Sequence, residues 1–120
     1  MFTFGGSSRM TGTDADKLIT AIRDQTDSVP TNMVFVIDIV SVRFGGKFTP
    51  EIKAELEKFP YLQMLTLNDC GIKSLENFPH IPGLIRLDLV FNEIKGEDLQ
   101  HIRGSRHLQT LMLGLSLIHI

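Results

Sequence analysis

Few side chains in this chain could do chemistry, and their spacing argues against it. Cys70 is the single cysteine and the obvious candidate nucleophile. A reactive thiol needs an electropositive, partly open setting, whereas a buried one behaves as a small inert hydrophobe. Cys70 stands in Leu62-x-x-Leu65-x-Leu67-x-x-Cys70-x-Ile72, a frame whose Asn/Cys position turns inward to satisfy loop backbone groups, so it reads as structural. His80, His101, His107 and His119 show no metal-ligand spacing. Phe44-Gly45-Gly46-Lys47 resembles a phosphate loop only superficially. Ser41 stands where the motif's first glycine belongs, and Phe48 follows the lysine where Ser or Thr is needed. A turn is the better reading. Asp38 and Asp88 could be imagined as paired carboxylates, but an intervening strand puts them roughly 9–10 Å apart with nothing to raise either pKa. No catalytic, cofactor or metal site is expected, and the protein reads as a non-enzyme.

The elements that position these residues repeat. The Cys70 frame recurs as Leu84-x-x-Leu87-x-Leu89-x-x-Asn92-x-Ile94, and in weaker form as Leu108-x-x-Leu111-x-Leu113-x-x-Ser116-x-Ile118. Their first leucines are 84 − 62 = 22 and 108 − 84 = 24 residues apart. An earlier, β-branched copy, Val34-x-x-Ile37-x-Ile39-x-x-Val42-x-Phe44, precedes them by 62 − 34 = 28 residues. Such a period predicts one strand and one returning segment per repeat, each unable to bury its apolar face alone. The expected fold is α/β: a leucine-rich-repeat solenoid with a parallel β-sheet on its concave face and an N-terminal capping helix.

That helix is expected over Thr13 to Gln25, with Thr13 as N-cap, Asp14 and Asp16 in its first turn, and Ala15, Leu18, Ile19 and Ile22 on one face. Gly45–Tyr61 predicts an inserted helix that starts near Pro50 and buries Ile52, Leu56 and Phe59. Leu75, Phe78 and Ile81, with Pro79 and Pro82 between them, suit a tight 3₁₀-like turn. Gly96–His107 predicts a short helix burying Leu99 and Ile102. Alternation along each strand sends Leu65, Leu67, Leu87 and Leu89 inward. Lateral rows are then expected across the exposed side: Val36, Met64, Arg86, Thr110; Asp38, Thr66, Asp88, Met112; and Val40, Asn68, Val90, Gly114. From these rows Asp38, Met64, Thr66, Asn68, Arg86, Asp88 and Thr110 are the candidate protein-contact residues.

Residues 1–12 read as a flexible leader and 13–120 as one domain, with repeats near 34–61, 62–83, 84–107 and 108–120. Hydrophobic content of 42% with 22% charged residues suits a globular chain, and a net charge of −2 favours neither nucleic acid nor an anionic membrane. The apolar stretches Met33–Val42 and Leu111–Ile118 are too short to span a bilayer. No signal-peptide run opens the chain, and one cysteine without a glycosylation sequon suits an intracellular protein. With the sequence stopping at Ile120, the terminal layer of Leu108, Leu111, Leu113, Leu115, Leu117, Ile118 and Ile120 is expected to be uncovered and to invite self-association.

The order of these features resembles the acidic leucine-rich nuclear phosphoprotein 32 family. The matching stretches are Val36-Ile37-Asp38-Ile39 through Gly46-Lys47, Phe59-Pro60-Tyr61-Leu62-Gln63-Met64-Leu65, Leu75-Glu76-Asn77-Phe78-Pro79 through Leu87-Asp88-Leu89, and Asn92-Glu93-Ile94-Lys95-Gly96 with Leu99. The resemblance covers about residues 13–118 and implies a non-enzymatic protein-binding module, a nuclear regulator that binds histones or inhibits a protein phosphatase. It also implies residence in nucleus and cytoplasm. Family members run on into a C-terminal cap and an acidic tail, so the chain is expected to be truncated. The alternative is a ribonucleoprotein scaffold resembling the spliceosomal A-prime leucine-rich-repeat protein.

Overall fold

The structure, a computed structural model, describes residues 13–114. The expected leader and the end of the last repeat, including Ser116, Ile118 and His119, lie outside the described residues.

Helix α1 spans Asp14–Thr26. Thr13 and Asp16 close a reciprocal cap: Thr13 Oγ1 accepts from the Asp16 N–H at 3.3 Å, and Asp16 Oδ2 accepts from the Thr13 N–H at 3.0 Å. Leu18 and Ile22 are fully buried, and Ala15 and Ile19 pack against the same core. A second helix, α2, spans Pro50–Leu56 behind a Thr49 cap, with proline at its first position, where the missing N–H goes unneeded.

Four strands follow the spacing of the apolar frames: β1 Val36–Val40, β2 Met64–Asn68, β3 Arg86–Asp88 and β4 Thr110–Met112. They form one parallel sheet in the order β1-β2-β3-β4. The register places Val36 beside Met64, Met64 beside Arg86, and Arg86 beside Thr110, so the first lateral row is observed whole. The second, Asp38, Thr66, Asp88 and Met112, is also observed. Ile37, Leu65, Leu67, Leu87 and Leu89 lie fully buried beneath these rows.

Three strand-end turns share one device. Ser41, Asp69 and Phe91 have φ of 62°, 55° and 64°, one residue at the same place in each successive repeat. Ser41 donates its N–H to the Asn68 carbonyl and Asp69 donates its own to the Val90 carbonyl, both at 2.9 Å, so each of these two turns hydrogen-bonds to the next repeat.

The returning segments differ from expectation in detail. The expected short helix over Gly96–His107 is a 3₁₀ helix confined to Gly96–Ile102. Residues 75–84 form two separate tight turns, closed by Phe78 N–H to Leu75 O at 3.0 Å and Leu84 N–H to Ile81 O at 3.1 Å. Pro79 and Pro82 lack the donors that would join them into one helix. Strand lengths fall from five residues in β1 and β2 to three in β3 and β4, so the repeats are not equivalent units.

The open edge of β1 is covered by a side chain. Gln25 of α1 donates its amide to the Asp38 carbonyl, and Gln25 Oε1 accepts from the Asp38 N–H at 3.0 Å. One glutamine thus stands in for the backbone of a neighbouring strand, at a place where an unpaired edge invites association.

Candidate functional site

The sheet brings all seven candidate contact residues onto one face, because each occupies the outward phase of a strand or its end. Their exposure is uneven. Asp38 and Met64 are exposed, whereas Thr66, Asn68, Arg86, Asp88 and Thr110 are half-buried, a correction to the expectation of full exposure. Three of the half-buried residues are engaged by side-chain hydrogen bonds. Arg86 Nε and Nη2 donate to the two carboxylate oxygens of Asp88 at 3.1 and 3.3 Å. Asn68 Oδ1 accepts from the Val90 N–H at 2.8 Å. Asp38 alone of the face's three charges forms no ion pair among the described residues. Beside it stand the exposed apolar side chains Val36, Val40 and Met64, and Met112 is exposed at the far end of the same row.

Beneath the face, the residues that could have been nucleophile or ligand hold the scaffold. Asn92 Oδ1 accepts from the N–H groups of Cys70 and Ile72 at 3.0 and 3.1 Å, and its Nδ2 donates to the Leu67 carbonyl at 2.8 Å. Cys70 is fully buried and its Sγ lies 3.3 Å from the Asn68 carbonyl as a donor. Burial pushes its thiol above the ordinary range, which disfavours the thiolate that nucleophilic attack requires. His80, His101 and His107 are exposed on separate turns and returns, and no cluster of metal-ligating side chains occurs among the described residues. No helix among those residues is long and apolar enough to cross a membrane.

Three features carried no readable signal. Gln25 sits in a helix as one polar residue among several, and nothing in its neighbours marks it as the edge clamp. Phe91 is 56% exposed at a left-handed φ, a conformation that bulky residues rarely adopt. Glu55 is buried on α2, at a position where the expected apolar stripe would have no use for a charge.

No family model matches the sequence. A curated protein from Tetrahymena thermophila, named as variant Y of histone two-A, is 54% identical to this chain over 110 residues. The match covers 88% of this chain and 28% of that protein, so the chain spans little more than a quarter of its relative's length.

This similarity corrects several expectations. The resemblance to the acidic leucine-rich nuclear phosphoprotein 32 family is overturned, because the relative is named for a histone variant. The phosphatase inhibitor, the nuclear regulator of that family and the ribonucleoprotein scaffold fall with it. The expected leucine-rich-repeat solenoid is overturned on the same finding, because the relative is named for a histone. The histone name does not by itself supply a fold for these residues, since most of the relative lies outside the match. The structure shows four parallel strands in register, with Gln25 of α1 bonded to the first edge. Exclusion of nucleic acid on net charge is also not sustained, because the charge of one segment does not determine the field of a longer protein. The expected cytoplasmic residence gains no support.

Proposed function

We propose that this chain is a folded, non-catalytic segment of a chromatin protein that works in the nucleus with histones as partners. The observation that carries the reading is the 54% identity over 110 residues to a protein named as a histone. The strand-borne face supplies the contact in this reading, through Asp38, Met64, Thr66, Asn68, Arg86, Asp88 and Thr110. Its chemistry suits a basic polypeptide: exposed Val36, Val40 and Met64 offer apolar area, and Asp38 offers a carboxylate with no competing cation among the described residues. A lysine or arginine reaching Asp38 would gain attraction that salt weakens.

Binding to immobilised core histones tests this reading. Asp38→Lys is expected to weaken association about tenfold, as loss and reversal of one charge-assisted contact would. Raised salt is expected to weaken the parent more than the variant. Binding that ignores both the substitution and the salt overturns the assignment of the face.

A further inference from the structure

Beyond the sheet face, the turns that follow β1 and β2, with Asp14 at the start of α1, line an open cavity of about 270 Å³. Its walls include Arg43, Lys73 and Asp14, and its remaining lining includes Gly45, Gly46 and Gly71. These are the three glycines with left-handed backbone among the described residues, at φ of 91°, 83° and 69°. Two of them also make room for the cationic side chains. A Cβ on Gly71 would stand 2.8 Å from Arg43 Nη1 and 3.2 Å from Arg43 Cδ. A Cβ on Gly46 would stand 3.4 Å from Lys73 Cγ and 3.3 Å from the Gly71 carbonyl oxygen. The glycines therefore let a guanidinium and a lysine stem lie close against backbone at one small opening.

The charges there are unevenly spent. Arg43 meets Asp69 through Nη2 alone, at 3.2 Å, and its side chain stays 66% exposed. Lys73 forms no ion pair among the described residues. The lining carboxylate, Asp14, is held by Lys17 at 3.1 Å. Two cations and one carboxylate line the cavity; Arg43 and Asp14 each have an ionic partner outside that lining, in Asp69 and Lys17, and the Lys73 ammonium has none among the described residues. The Gly-Gly-Lys stretch is still no nucleotide loop, because the lysine at this opening is Lys73 from the next repeat and not Lys47.

We infer that this cavity binds a phosphate-class oxyanion between the Arg43 guanidinium and the Lys73 ammonium. Guanidinium offers paired donors to such an oxyanion, and an ammonium adds a point charge. The inference is independent of the proposed histone contact, since it uses none of the face residues.

The test is an amide NMR titration of the full chain with inorganic phosphate, at constant ionic strength against chloride. Saturable shifts are expected at Gly45, Gly46, Gly71 and Lys73. Lys73→Gln is expected to weaken binding about tenfold, the effect of one charge-assisted contact, while leaving amides remote from the cavity unmoved. A short DNA duplex added in place of phosphate identifies the source. Movement of the same amides assigns the site to a nucleic-acid backbone, and silence with retained phosphate binding assigns it to a free phosphate or phosphomonoester. No saturable shift with phosphate, or an affinity that Lys73→Gln leaves unchanged, overturns the inference.

Discussion

Asn92 sets the local geometry more than any other single side chain. Its amide satisfies two buried N–H groups, of Cys70 and Ile72, and the Leu67 carbonyl, all in the preceding repeat. Removing a partner from a buried polar group costs about 1–3 kcal/mol for each group left unmade. Asn92→Ala is therefore expected to destabilise the fold by about 2–4 kcal/mol, with partial relief where water enters. Urea unfolding would show this as a lower midpoint at unchanged slope. This role was legible in the sequence, because Asn92 recurs at the place of Cys70, 92 − 70 = 22 residues on, in an otherwise leucine frame. Gln25 was not legible. Its partner is backbone 13 residues away across a turn, and no spacing encodes a backbone partner.

Between elements, a buried carboxylate joins the two helices. Glu55 of α2 accepts from Arg23 of α1 at 2.9 Å and from Lys58 at 2.8 Å, with its own side chain 5% exposed. Burial alone would raise its pKa, but the hydrogen bonds from Arg23 and Lys58 outweigh burial and hold it below the ordinary 4.5. A lowered folded-state pKa means stability that is present above the unfolded value and lost as pH falls through the folded one. Glu55→Gln is expected to cost about 1–3 kcal/mol near neutral pH. It is also expected to flatten the loss of stability that the parent shows as pH falls below the ordinary carboxylate value of 4.5. Urea midpoints measured from neutral pH down through that value check both effects. The two helices themselves followed from cap chemistry and apolar period, whereas their ionic link did not. A charge at one position of an amphipathic helix ordinarily reads as solvent-facing, and only the packing of α1 shows otherwise.

For the whole molecule, two of the three expected rows across the sheet are observed whole, because strand alternation and repeat spacing fix them together. The third pairs only at Val40 and Asn68, since β3 and β4 end at Asp88 and Met112. Kinship was not readable in the same way. The leucine frame is generic, so stretches shared with the acidic nuclear phosphoproteins carried too little specificity to outweigh 54% identity to a protein of another name. The proposed contact face consists of seven residues in outward phase, exposed apolar neighbours, and Asp38 without an ionic partner among the described residues. The proposal to be tested is contact between this face and a histone in the nucleus. Photo-crosslinking in nuclei tests that most directly, with the reactive side chain placed at Thr66, in the middle of the face, or at Gln100, exposed on the 3₁₀ return. Histone adducts are expected from Thr66 and none from Gln100. Adducts from Gln100 alone, or none from Thr66, would contradict the proposal.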